Sequence, residues 1–121
     1  MCYTKEKRRY HMLFICYTKC GTCRKAKKWL DDNGYEYEER DIKTQPPTYE
    51  ELKDWHSFSG LPVKKMFNTS GMLYKSMDLK NKLPQMSEDE QLRLLATDGM
   101  LVKRPVIVDG EKVSFGFKGS L

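Results

Sequence analysis

No cysteine follows Cys23: all four, Cys2, Cys16, Cys20 and Cys23, crowd towards the N-terminus of a 121-residue chain. A secreted scaffold stapled by disulfides spreads its cysteines along the chain, so this distribution excludes that class and indicates a reducing compartment. Long hydrophobic runs are missing too. No apolar stretch approaches the ~20 residues of a membrane span, and no apolar core precedes a small-residue cleavage site at the N-terminus. A cytoplasmic protein with no membrane partner is therefore expected. Histidine is scarce: His11 and His56 are isolated, and no second Cys or His pair exists. That removes the ligand spacing of a zinc site, and no metal is expected.

What is present fits one ordinary globular core. The 39% hydrophobic and 32% charged residues exclude a disordered or collagenous chain. Net charge is +5, concentrated in Lys5, Lys7, Arg8 and Arg9 and in the Arg24-Lys25-Ala26-Lys27-Lys28 run. Such runs either face solvent or attract an anionic substrate or partner. Residues 1–11 are polar and without periodicity, and read as a basic, flexible extension; residues 12–121 read as a single domain. Nothing in the pattern indicates direct nucleic-acid binding, and a monomer is expected.

Along the chain, Met12 to Tyr17 is a short apolar run, as in a strand buried on both faces. From Thr22 to Asn33, Cys23, Ala26, Trp29 and Leu30 fall at helical spacing before Gly34. Tyr35 to Ile42 alternates like a half-exposed strand, and Pro46-Pro47 ends it. Thr48-Tyr49-Glu50-Glu51 and Ser87-Glu88-Asp89-Glu90 are capping boxes, the first opening a helix to Gly60 and the second a helix to Gly99. Residues 62–86 look helical but broken. Val106 to Val108, Asp109-Gly110 and Val113 to Phe117 form a hairpin pattern. The order β-α-β, helical insert, β-β predicts an α/β chain with a thioredoxin/glutaredoxin-like fold and a helical insertion after the second strand.

Cys20-Gly21-Thr22-Cys23 stands where the first strand turns into the first helix, so the two thiols can form and break a disulfide. Cys20 faces the unpaired N–H groups and positive dipole of the helix start, which makes it the more acidic thiol and the attacker. Cys23, one turn inside, resolves the adduct. The competing readings are two ordinary thiols, or an iron–sulfur triplet with Cys16. Chain length, Thr22 and the placement of Cys16 in a strand count against the triplet; Cys16 reads as core and Cys2 as an exposed thiol. Arg104-Pro105 is the second constellation. A proline opening a strand opposite a Cys-x-x-Cys helix is where thioredoxin-like folds place a cis-proline, with Arg104 then next to the thiolate.

The chain resembles the arsenate reductase (ArsC)/Spx family, through Tyr17-x2-Cys20-Gly-Thr-Cys23-Arg24-Lys25-Ala26, Gly60 to Gly71, Leu94 to Gly99, Leu101-Val-Lys-Arg104-Pro105 and Gly116-Phe-Lys118. These pieces run in order from Met12 to Lys118. The resemblance implies a thioredoxin-like fold with a helical insert. In the arsenate reductases of this family one cysteine attacks arsenate and three arginines hold the oxyanion. The nucleophile then falls on Cys20 and one arginine on Arg104, while the other two places fall on lysines, Lys64 (or Lys65) and Lys118. Lysine keeps the charge but loses the planar two-pronged fit. The glutaredoxin-dependent enzymes lack a thiol at the position of Cys23. The Spx regulators, which bind RNA polymerase, share the Cys-x-x-Cys switch and the Arg-Pro but not the Asn68-Thr69-Ser70-Gly71 segment. The nearest likeness is to arsenate reductase-like proteins of undefined activity.

The expectation is a thiol–disulfide oxidoreductase without a bound cofactor. It uses the Cys20–Cys23 pair with Arg104, binds substrate near Pro105, Lys64 and Lys118, and is reduced by thioredoxin, glutaredoxin or glutathione. Arsenate, another oxyanion or a thiol compound would be its substrate. The alternative is a non-catalytic, Spx-like redox sensor that binds RNA polymerase.

Overall fold

The structure, a computed structural model, describes residues 12–119; the basic extension read at residues 1–11, with Cys2, lies outside them. The chain divides into two compact units, one made of the residues up to Asp41 with those from Arg104 onward, the other of Ile42–Lys103.

The first unit holds a four-stranded mixed sheet of order β2-β1-β3-β4. Its strands are β1 (Leu13–Cys16), β2 (Glu38–Asp41), β3 (Val106–Asp109) and β4 (Lys112–Phe115), and helix α1 (Gly21–Asp32) links the first two. β1 runs parallel to β2 and antiparallel to β3, and β3 is antiparallel to β4. A parallel neighbour needs a crossover, which α1 supplies, whereas a hairpin suffices for β3 and β4. Because strand side chains alternate, Phe14 and Cys16 point to one face and Ile15 to the other; all three are buried, as the uniformly apolar run requires. Cys23, Ala26 and Leu30 form the buried stripe of α1 and pack with Met12, Phe14, Cys16 and Ile107. A fully buried Phe or Leu of this kind contributes about 1.5–3 kcal/mol. Trp29 extends the cluster by stacking on Tyr35 at 5.6 Å and meeting Phe117 at 6.1 Å.

The boundaries differ from the sequence pattern in ways the backbone explains. β2 begins at Glu38 and not at Tyr35, because the Tyr35 N–H is spent on the Leu30 carbonyl at the end of α1. The hairpin loop is Gly110-Glu111, one residue later than the Asp109-Gly110 pair, since Asp109 pairs with Lys112. Gly110, at φ 64°, takes the positive φ that mirror-image hairpin turns ask of their first loop residue.

The second unit is helical: α2 (Tyr49–Ser59), α3 (Met72–Ser76), α4 (Leu79–Lys82) and α5 (Glu88–Leu95), with 3-10 turns at Val63–Met66, Leu83–Gln85 and Gly99–Leu101. Both capping boxes close as the sequence indicates, with Thr48 accepting from Glu51 N–H and Ser87 from Glu90 N–H, each at 3.1 Å. α5 stops at Leu95, short of Gly99. There Thr97 bonds back to the Leu94 carbonyl, and Asp98 caps the following 3-10 turn by accepting from Met100 N–H. Gly99 meets a different demand: a Cβ there would lie 2.0 Å from the Ile42 carbonyl oxygen. No helix among the described residues is long and apolar enough to cross a membrane.

Candidate functional site

β1 ends at Cys16 and the chain turns tightly, Cys20 N–H donating to the Tyr17 carbonyl at 2.9 Å. Arg24 steadies this turn from α1 by donating to the Thr18 carbonyl at 3.2 Å. Cys20 is thereby left as the N-cap of α1 in extended conformation, half-buried, with Cys23 at the third helical position and buried. An N-cap side chain faces the second and third N–H groups of its helix, here those of Thr22 and Cys23. The sulfur makes no close cap hydrogen bond, but these donors are near enough to stabilise its charge. Cys16, Cys20 and Cys23 are all reduced thiols.

The three sulfurs differ in acidity. Partial burial pushes the Cys20 thiol up, and the Cys23 N–H, the Cys23 thiol, the Arg104 side chain and the Thr22 N–H together outweigh it, so its pKa lies below the ordinary value. Cys23 is pushed up to about 12, chiefly by burial and then by the neighbouring Cys20 charge, against the Tyr17 N–H that donates to its sulfur at 3.3 Å. Cys16 is pushed up to about 11 by burial and by Glu39, to whose carboxylate its thiol donates at 3.6 Å. One sulfur is thus poised to ionise and the other two are held as thiols.

Arg104 is in the same unit, half-buried, with its guanidinium carbon 5.5 Å from the centre of the Tyr17 ring. The Arg104–Pro105 bond is cis, and Pro105 is buried. The Pro105 carbonyl accepts from Gly116 N–H at 2.8 Å. Lys118 is exposed beyond β4, next to Phe117, which packs on Trp29. Lys64 and Lys65 belong to the helical unit and are exposed on the 3-10 turn Val63–Met66, where Lys64 borders a cavity of about 110 Å³ with Tyr74, Lys80 and Gln91. The structure therefore gathers Cys20, Cys23, Arg104 and Pro105 in one unit and puts the Lys64/Lys65 pair in the other.

Three neighbours escape a sequence reading. Tyr17 supplies both an N–H to Cys23 and a ring beneath Arg104. Glu39 reaches Cys16 from β2, and Lys27 of α1 binds Glu39 at 2.8 Å. Cys16, Tyr17, Thr18, Cys23, Arg24, Lys27 and Glu39 line a cavity of about 140 Å³. Only the parallel pairing of β1 with β2 puts Glu39 there, and no local motif signals it. Among the described residues, no group of three or more His, Cys, Asp or Glu side chains is placed to hold a metal ion.

A mixed four-stranded sheet with a Cys-x-x-Cys at the start of its first helix and a cis-proline opening a strand defines the thioredoxin-like class. Within that class, residues 16–120 match the ArsC family, and the chain belongs to it. It is 62% identical over 107 residues to the uncharacterized protein YusI of Bacillus subtilis (strain 168), covering 88% of this chain and 91% of YusI. The regulatory protein MgsR of the same organism is 32% identical over 106 residues, 88% of this chain and 82% of MgsR. Among solved structures, that of a "possible arsenate reductase" from Streptococcus mutans UA159 superposes with a TM-score of 0.86 at 46% identity, covering 92% of this chain and 94% of that one. The protein is thus related both to arsenate reductases and to the Spx and MgsR regulators.

Proposed function

We propose that the protein is a thiol–disulfide oxidoreductase in which Cys20 is the nucleophile and Cys23 the resolving thiol. The observation that supports this most is the contrast between the two sulfurs: Cys20 acidified at the start of α1 beside Arg104, and buried Cys23 pushed up to about 12. An attacker whose pKa is lowered carries more of the reactive thiolate at neutral pH than an ordinary thiol does. Its partner should stay protonated until needed. Burial is the main cause that holds Cys23 as a thiol, but the Cys20 charge is another, and it vanishes once Cys20 bonds to substrate.

With arsenate as substrate, Cys20 sulfur bonds to arsenic and water leaves. Cys23 then loses its proton and attacks Cys20 Sγ. The sulfur–arsenic electron pair remains on arsenic, which passes from As(V) to As(III), and the Cys20–Cys23 disulfide is left. An external thiol, from thioredoxin, glutaredoxin or glutathione, returns the disulfide to two thiols. In this reading Arg104 steadies the thiolate or the bound anion beside Pro105, and the resemblance assigns Lys118 and Lys64 (or Lys65) supporting positive charge.

The test is turnover of arsenate, and separately of a small disulfide, with each of the three reductants. Product should form with at least one donor and disappear in Cys20→Ser. Absence of turnover on both substrates with every donor would overturn the enzyme reading.

The MgsR and Spx relatives favour one second reading, a non-catalytic redox sensor that contacts RNA polymerase. It predicts that purified RNA polymerase binds the protein with an affinity that changes between its reduced and oxidised forms, in the absence of any turnover.

A further inference from the structure

We propose that Cys16 is a third redox thiol, which exchanges with the Cys20–Cys23 disulfide so that the bond moves to Cys16–Cys23 and Cys20 is released. The inference rests on the Cys20–Cys23 chemistry proposed above. Its geometric basis is local. The Cys23 sulfur accepts from the N–H of Tyr17, which puts it 3.3 Å from the peptide nitrogen joined to Cys16. Cys16 and Cys23 pack in one cluster, and both line the cavity of about 140 Å³. The Cys16 thiol donates to Glu39, which lines the same cavity and whose other oxygen is held by Lys27 at 2.8 Å. The Cys16 thiol thus has as neighbours both an exposed carboxylate that accepts its proton and the resolving thiol.

The exchange balances without a further reagent. Cys16 gives its proton to Glu39, which already accepts it, and the resulting thiolate attacks Cys23 Sγ. A Cys16–Cys23 bond forms, the Cys20–Cys23 bond breaks, and the electron pair of the broken bond leaves on Cys20. The total oxidation state is unchanged; only the initial disulfide requires an oxidant, such as a peroxide. Direction follows from the leaving group, because exchange favours expelling the most acidic thiol. Cys20, stabilised by the helix start and Arg104, is that thiol. The outcome is a stored disulfide behind the surface and a Cys20 ready to attack again.

The experiment is disulfide mapping in a Cys2→Ser background, after treatment with one equivalent of hydrogen peroxide, with acid quench and alkylation at timed intervals. The expected course is Cys20–Cys23 first, then Cys16–Cys23 at its expense. The conversion rate should change little between about pH 7 and about pH 9, because the proton passes from Cys16 to Glu39 within the protein. Glu39→Gln should slow conversion without changing the first step. In Cys20→Ser, oxidation should still link Cys16 to Cys23. If Cys20–Cys23 forms and Cys16 stays fully alkylatable throughout, the third thiol is refuted while the two-thiol reading stands. If no disulfide involving Cys20 forms at all, the two-thiol reading itself fails.

Discussion

At the residue scale the site is a question of which sulfur carries charge. The Arg104 side chain and the Cys23 thiol both lower the pKa of Cys20. Replacing Arg104 with Ala should therefore move the pH inflection of Cys20 alkylation upward and slow alkylation at neutral pH by about two- to tenfold, leaving the far-UV spectrum unchanged. An unmoved inflection would remove Arg104 from the site. Lys27 makes the opposite case. Its pair with Glu39 is close, at 2.8 Å, but both side chains are more than two-fifths exposed, so Lys27→Met should cost less than about 1 kcal/mol in urea unfolding. Cys20, Cys23 and Arg104-Pro105 were legible in the sequence because each is defined by its immediate neighbours: a helix start, one turn of helix, a proline opening a strand. The contacts of Tyr17 and Glu39 were not, because Tyr17 reaches Cys23 through a backbone N–H, and Glu39 meets Cys16, 23 residues away, only through the pairing of β1 with β2.

At the scale of elements, the capping boxes at Thr48 and Ser87 set the starts of α2 and α5, and Gly60, at φ 69°, ends α2. All three are local chemistry and readable as such. Ser87→Ala removes the acceptor for Glu90 N–H and should cost about 1 kcal/mol, measured as a shift in the urea midpoint. Gly99 carries a different constraint. Its position after α5 looks like an ordinary helix stop, yet α5 has already ended at Leu95. What the residue answers to is the Ile42 carbonyl, 2.0 Å from where a Cβ would sit, an approach to backbone that a side chain cannot relieve by turning away. Gly99→Ala should destabilise by more than about 2 kcal/mol, well beyond Ser87→Ala. Close approaches between distant segments leave no periodicity behind, and this is why the fold order was legible while the reason for Gly99 was not.

For the whole molecule, the perturbed groups of the sheet unit contribute to the pH dependence of stability in opposing senses. Cys20, lowered in the folded protein, contributes stability that is complete above the unfolded thiol value of about 8.5 and is lost as pH falls through its folded pKa. Cys16 and Cys23, raised chiefly by burial to about 11 and about 12, act oppositely: the folded protein keeps protons that the unfolded chain has already given up, so stability falls as pH climbs from about 8.5 through those values. Tyr37, pushed up by burial and by its 2.7 Å bond to Asp31, adds to the same fall above its ordinary value of about 10. Urea midpoints for the fully reduced protein should accordingly decline as pH climbs above about 8.5. Oxidation removes Cys23 from titration whichever sulfur it joins, and so should flatten the alkaline decline. The comparison to make is midpoint against pH for reduced and oxidised protein between about pH 8.5 and about pH 11. Parallel curves would mean that Cys23 does not hold its proton in the folded state, and the division of labour between a more acidic Cys20 and a protonated Cys23 would go with it.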